Sequence, residues 1–409
     1  MVLRRFSVSN FMSFPGKAEL TLGLTKREAS QGWSVSAPLK SDKKEYSTAT
    51  GIFGANASGK TNILKALRFM TWFAEAPLES ISPKDPIMSF GWFRNDQPSE
   101  YELEYYSEDN SIMRYYLKAN KKVILEESLT RLDLKGKVRS KGTLFKRSWN
   151  PKTEKYVFGE RNMGFEDVPA HLARPNASFL SLAQHLGVGT KKFMLPSIYS
   201  NVEPYGRVPT VNDFPVAQGF FLEPKNVQFW NQALEFLTEV DLGLSNVTLK
   251  KMNLNLPKGN MDASKSTQEF VNMIAYHKLK DGSEKALNFL QESNGTRAVF
   301  VHLALLLPVL AEGGIAIIDE IESELHPDLV EKILGLFNDP LTNPGKGQLI
   351  FTSHTPSLMN ELGKAHIYLT EKIDNESDLW SLNDMNGVRV ADNFAAKYRA
   401  GAYGGVPQL

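Results

Sequence analysis

Gly54-Ala-Asn-Ala-Ser-Gly59-Lys60-Thr61 satisfies the pattern G-x-x-x-x-G-K-[ST] at every fixed position. No other stretch restricts the fold of this chain so strongly, because such a loop works only where a strand runs into it and a helix leaves it. Both flanks comply. Thr48-Ala-Thr-Gly-Ile-Phe53 is a short, mostly apolar strand, and Ile63, Leu64, Leu67, Met70 and Phe73 recur at helical spacing beyond the loop. Glycines let backbone N–H groups close around a phosphate, and the following helix N-terminus adds its dipole. Lys60 is expected to neutralise β- and γ-phosphate oxygens and the Thr61 hydroxyl to ligate Mg²⁺. Asn56, Ala57, Ser58, Gly59 and Asn62 complete the expected lining. The competing reading is an accidental match in a flexible loop.

A second group of residues lies far along the chain. Ile315-Ala-Ile-Ile-Asp319-Glu320 is an apolar run ending in two acids, as expected for a strand buried on both faces whose carboxyl end meets a ligand. Asp319 is the expected partner of Mg²⁺ through water, and Glu320 the group that orients or deprotonates an attacking water. A helix cap or solvated turn is the alternative. Leu349-Ile-Phe351 runs into Thr352-Ser353-His354, where a histidine reaches a γ-phosphate; the alternative is a His that caps the next helix. The expected catalytic set is therefore Lys60, Glu320 and His354.

Composition removes other chemistries. With no cysteine there are no disulfides, thiolate zinc sites, iron–sulfur clusters or thiol nucleophiles. The 47 Lys+Arg against 46 Asp+Glu leave a net charge of +1, so contact with a polyanion must come from a local patch. Arg4-Arg5 is followed by Phe6 to Phe14, a stretch interrupted by Ser7, Ser9, Asn10 and Ser13, which is no export signal. The longest apolar run, Ala298 to Ala311, is too short to span a bilayer. A cytoplasmic protein without a membrane segment is expected.

Alternation predicts strands at Leu3–Phe11 and Ala18–Leu22, then antiparallel β from about Phe90 to Val157, with strands near 101–106, 113–117, 123–132 and 143–146. Ala170–Leu186 and Phe229–Leu237 read as helical, and Gly187–Gly219 as a long loop. The last third alternates helix 296–310, strand 315–318, helix 327–337 and strand 348–351, with Pro327 suited to a first helical turn.

These motifs, with the opening segment Leu3 to Phe14, Glu292-Ser-Asn-Gly-Thr-Arg297, Ser323-Glu-Leu-His326 and His354, resemble the ABC-type ATPases of the SMC, RecF and OLD group. In that resemblance they stand for the opening strand, the Walker A loop, a shortened signature, the Walker B pair, the D-loop and the switch histidine. More narrowly, Asn56-Ala-Ser-Gly, Leu325-His-Pro and Tyr403-Gly-Gly-Val-Pro-x-Leu409 resemble the stand-alone RloA-type ATPases associated with abortive infection. The resemblance implies an α/β fold: a P-loop NTPase with an ABC-type head, a mixed sheet flanked by helices, an antiparallel β subdomain and an inserted helical/β region. It places an N-terminal ATPase lobe at 1–165, the insertion at 166–285 and a C-terminal lobe at 286–409. Gln97 is the candidate for the glutamine of the Q-loop by position only. Some 40 residues follow the final strand region at 367–369, too few for the TOPRIM nuclease of the OLD proteins.

The resemblance further implies ATP and Mg²⁺ as ligands and a slow, regulated ATPase. It implies a homodimer or higher even-numbered oligomer in which Ser293, Asn294 and Gly295 of one subunit cover the γ-phosphate bound by another. Such a chain would switch a separate effector, of nuclease or TOPRIM type, in anti-phage defence. A RecF-like DNA-maintenance ATPase and a scaffold that holds ATP structurally remain as alternatives. Lys135, Lys137, Arg139, Lys141, Lys146 and Arg147 surround a predicted hairpin and read either as a phosphate-contacting strip for DNA or RNA or as a solvated hairpin.

Overall fold

The computed structural model describes residues 1–75, 78, 81–87, 91–188, 193–203, 214–240, 243–255 and 267–406, with 253–255 and 267–269 by backbone alone. The chain divides into two compact units. The larger is Met1–Val208 with Val309–Ile321 and Glu331–Leu409, and the smaller is Pro209–Pro308 with Glu322–Val330. Residues 292–297 and 323–326 group with residues 209–285, while the acid pair groups with the phosphate loop.

Two sheets and one helix build the core of the larger unit. The first sheet is antiparallel, in the order Lys155–Arg161, Val138–Asn150, Ile124–Leu132, Ile112–Ala119, Ser99–Tyr106, Val2–Phe11 and Phe14–Thr21. The second runs Ile198–Ser200, Ile315–Ile318, Gln348–Ser353, Ala49–Gly54, Ile367–Ile373 and Glu376–Ser381, parallel except for its last pair. Every residue of Ala49–Gly54, Ile315–Ile318 and Gln348–Ser353 is buried, which is why these strands read as unbroken apolar runs. The helix Lys60–Glu75 buries Ile63, Leu64, Leu67, Met70 and Phe73. They join one cluster with Leu3, Phe6 and Leu103 of the first sheet and Ile52, Ile317 and Ile350 of the second. Truncating one such residue, as in Leu67→Ala, costs about 2–5 kcal/mol. Gln348 ties the sheets together: its Oε1 accepts from Leu3 N at 2.6 Å and its Nε2 donates to Ser47 O at 2.9 Å.

Several local expectations change. The Gly187–Gly219 stretch is not simply a loop: it contains strand Ile198–Ser200, parallel to Ile315–Ile318, and the start of helix Phe214–Leu222. Its residues 189–192 and 204–213 lie outside the described set, as do 88–90 and 407–409 of other expected segments. The helix expected over 170–186 shrinks to a single turn at Ala170–Leu172 and a helix at Phe179–His185, because Pro175 interrupts it. Strand 367–369 continues to Ile373 and a further strand follows it. Arg147 does not belong to a surface strip. It is fully buried opposite Glu127 in the strand register, and its Nε donates to Glu127 Oε2 at 2.7 Å. The same carboxylate accepts from Phe179 N at 3.0 Å, at the start of a helix.

The smaller unit holds a three-stranded antiparallel sheet, Asn246–Asn255, Thr267–Lys278 and Glu284–Asn288, with helices Phe214–Leu222 and Val227–Glu239. Phe214, Phe221, Phe289 and Phe300 pack with ring centroids 5.1 to 5.7 Å apart. Among the described residues one helix, Asn294–Glu312, is long and apolar enough to cross a membrane, and most of it is buried within protein. It is longer than the apolar run 298–311 because polar residues extend its first turn.

Candidate nucleotide site

Strand Ala49–Gly54 delivers the phosphate loop at the carboxyl edge of its sheet, and helix Lys60–Glu75 begins as the loop ends. In the first turn Asn62 N donates to Gly59 O at 2.9 Å, and the positive end of the helix dipole faces the loop. Asn56 and Ala57 stand exposed at the crest, while Ser58, Gly59 and Lys60 are buried. Lys60 sets its Nζ 2.9 Å from Gly54 O and 3.0 Å from Ala55 O. A Cβ on Gly54 would lie 2.4 Å from Thr370 O, so glycine is required there by close approach. Ser58 Oγ lies 2.6 Å from Thr370 Oγ1, and Asn62 Nδ2 donates to Ser13 Oγ at 2.8 Å.

Asp319 is buried where strand Ile315–Ile318 ends. Thr61 Oγ1 donates to its carboxylate, 2.9 Å from Oδ2 and 3.0 Å from Oδ1, and Thr352 Oγ1 donates to Oδ1 at 2.6 Å. The Asp319 backbone is held by Asn201, whose Oδ1 accepts from Asp319 N at 2.8 Å and whose Nδ2 donates to Asp319 O at 3.0 Å. Glu320 adopts a left-handed φ of 51° and donates its N–H to Thr352 Oγ1 at 2.8 Å. Its carboxylate is more than half exposed and lies 3.4 Å from His354 Nε2. The other ring nitrogen of His354 is 3.4 Å from Lys60 Nζ. The larger unit thus brings Lys60, Thr61, Asp319, Glu320 and His354 together. A divalent cation would fit this donor set: the Thr61 hydroxyl and the Asp319 carboxylate are hard oxygen donors that already meet, and they would hold the ion beside a bound phosphate. Among the described residues no group of three His, Asp or Glu side chains could hold a metal alone.

Asn201, Thr352 and Thr370 were not assigned roles from sequence. Thr352 was visible as the residue after an apolar run. The signal for Asn201 was only the apolar pair of strand Ile198–Ser200, which is three residues long.

Ser293, Asn294 and Gly295 belong to the smaller unit, where they open helix Asn294–Glu312. Ser293 Oγ accepts from Thr296 N at 3.1 Å, and Ser293 and Asn294 are exposed. Asn294 Nδ2 donates to Glu324 Oε1 at 3.2 Å, and a Cβ on Gly295 would lie 2.9 Å from Glu324 O. The segments 292–297 and 323–326 therefore form one surface. His326 is exposed, and its Nδ1 accepts from Asp328 N at 3.3 Å at the start of helix Pro327–Asn338. Gln97 lies exposed on a loop whose carbonyl oxygens accept from Asn10 Nδ2.

Residues 49–360 match the family model described as "AAA domain, putative AbiEii toxin, Type IV TA system". The chain belongs to this family. For this AAA-domain chain the expected fold class, an α/β P-loop NTPase with an antiparallel β subdomain, is the one observed. Among solved structures it is similar to an SMC head bound to the C-winged helix domain of ScpA, at 12% identity and a TM-score of 0.44, over 93% of this chain and 97% of that one. An SMC head domain from Thermotoga maritima is similar at 14% identity and a TM-score of 0.39, over 93% and 99%. The recombination mediator protein RecF with ATPrS is similar at 11% identity and a TM-score of 0.40, over 93% and 98%. No curated protein matches the sequence.

Proposed function

We propose that this protein is a slow, regulated ATPase that closes into an ATP-sandwiched dimer and switches a separate effector, in the anti-phage manner of RloA-type proteins. The observation that carries the reading is the convergence of Lys60, Thr61, Asp319, Glu320 and His354 at one loop. Lys60 neutralises phosphate oxygens, and Thr61 with Asp319 holds Mg²⁺, which supplies charge to the transferred phosphoryl group. Glu320 orients or deprotonates the attacking water, and His354, touching both Glu320 and Lys60, positions the two. Ser293, Asn294 and Gly295, exposed at a helix N-terminus, supply N–H and hydroxyl donors to the γ-phosphate held by a second subunit. Loss of that phosphate removes what both subunits grip and releases the interface. The family description names a type IV toxin–antitoxin system, which supports a role in conflict systems.

A second reading, a RecF-like ATPase on DNA, is favoured by one feature: Lys135, Lys137, Arg139, Lys141 and Lys146 are all exposed along one hairpin.

Glu320→Gln decides the nucleotide half of the proposal. Native mass spectrometry of this variant with Mg-ATP should show a persistent even-numbered assembly, with turnover reduced roughly 10²–10³-fold. Wild-type turnover in that variant would remove Glu320 from the chemistry. Purification from the native host should bring an effector with the assembly, and stimulation by DNA instead would move the assignment to the second reading.

A further inference from the structure

Past its last sheet strand the chain forms helix Phe394–Arg399 and then a turn through Gly401, Tyr403, Gly404 and Gly405. Both final glycines take left-handed φ values, 72° and 70°. They also sit where no side chain fits freely. A Cβ on Gly404 would lie 3.3 Å from the Trp380 ring, and one on Gly405 would lie 3.1 Å from Thr370 O. Tyr398 fastens the turn by donating its hydroxyl to Gly405 O at 2.8 Å. Tyr403 is buried beside it, 5% exposed.

Thr370 is also the residue against which the phosphate loop is packed. Its carbonyl is the first atom that a Cβ on Gly54 would meet, and its hydroxyl lies 2.6 Å from Ser58 Oγ. Gly54 in turn offers its carbonyl to Lys60 Nζ at 2.9 Å. A continuous series of contacts therefore runs from Tyr398 through Gly405, Thr370 and Gly54 to the lysine of the phosphate loop.

We propose that the 403–405 turn is part of the nucleotide-binding apparatus: by seating Thr370 it sets the phosphate loop, and Thr370, Gly405 and Tyr398 are positioning residues for ATP. This rests on the reading of the loop as an ATP site. A turn that only lets the chain pass over a strand needs small residues near Trp380. It does not need a threonine whose hydroxyl and carbonyl both meet the loop, nor a tyrosine that fixes the glycine carbonyl.

The test is Mg-ATP affinity by titration with a fluorescent analogue, alongside the thermal midpoint without nucleotide. Thr370→Val, which removes the hydroxyl's bonds to Ser58 Oγ and Phe53 O, and Tyr398→Phe, which removes one bond, should each weaken ATP about fivefold. Thr370→Ser should bind within about twofold of wild type, and Gly405→Val, which crowds Thr370 O, should weaken ATP about tenfold or more. Turnover at saturating ATP should change less than affinity. Variants with a lowered midpoint but wild-type affinity would overturn the proposal, leaving the turn a structural element. Wild-type protein that binds no Mg-ATP would overturn the nucleotide reading together with this one.

Discussion

Around Thr61 the polar groups are buried and answered from within the larger unit, whereas Ser293 and Asn294, though bonded to Thr296 and Glu324, remain exposed. The Asp319 carboxylate accepts from Thr61 and Thr352, its backbone exchanges bonds with Asn201, and Lys60 rests on two loop carbonyls. The helix start at Ser293 is capped by its own hydroxyl and braced by Glu324, yet both Ser293 and Asn294 are exposed. The first region is organised before ligand arrives, so it loses little freedom on binding; the second is built but unoccupied by its own unit, as a half-site for another molecule would be.

Lys60→Ala strikes hardest at the first region, and ATP affinity should fall roughly 10²–10³-fold by calorimetry as a charge-assisted phosphate contact disappears. Ser293→Arg probes the second. Its expected signature is an ATP affinity of the monomer within about twofold of wild type, with the ATP-dependent dimer lost in sedimentation. About 1 kcal/mol of helix capping should go with it. If that variant still dimerised, the division between a self-sufficient site and a half-site would fail.

Acid should act on the larger unit through His366, whose buried ring has its pKa lowered to about 4 by desolvation, with Nδ1 2.8 Å from Ser47 Oγ. The unfolded chain takes up this proton near pH 6.5 while the folded one resists, so stability should fall as pH drops from 6.5 towards 4. Glu75, raised to about 7 by burial, acts oppositely, since only the unfolded state ionises fully between 4.5 and 7 and stability falls as pH rises. Glu75→Gln should therefore unmask a steeper acid loss of the thermal midpoint, and adding His366→Phe should flatten it. The smallest effect belongs to Lys137, Arg139 and Lys141, exposed on their hairpin. Reversing the three charges should leave ATP turnover within about twofold, while nucleic-acid binding with a salt slope reduced by two or three would reveal phosphate contacts.

The sequence made the phosphate loop, the acid-bearing strand and the strand before His354 legible because each is an apolar run buried on both faces and closed by chemistry-bearing residues. Asn201 was hidden: a strand of three residues carries no periodicity, and only its parallel pairing with Ile315–Ile317 brings it to Asp319. Arg147 was read among basic neighbours, yet register sets it against Glu127 and inside the protein. The edge strand Lys155–Arg161 is largely exposed and lacks a buried face to betray it. Thr370 is not legible in the sequence because its hydroxyl and carbonyl meet the loop only through the parallel pairing of Ile367–Thr370 with Gly51–Gly54.

The strand that delivers the phosphate loop lies between Gln348–Ser353 and Ile367–Ile373 in the sheet. During synthesis the loop emerges early, but its neighbours are still to be made: Gln348 reaches back to Ser47 across 301 positions. At roughly 5–20 residues per second that wait is on the order of 15–60 s. A ribosome that stalls before these strands releases a polypeptide with a phosphate motif and no bed for it, so the site comes into being only when the distant strands have been made and folded back.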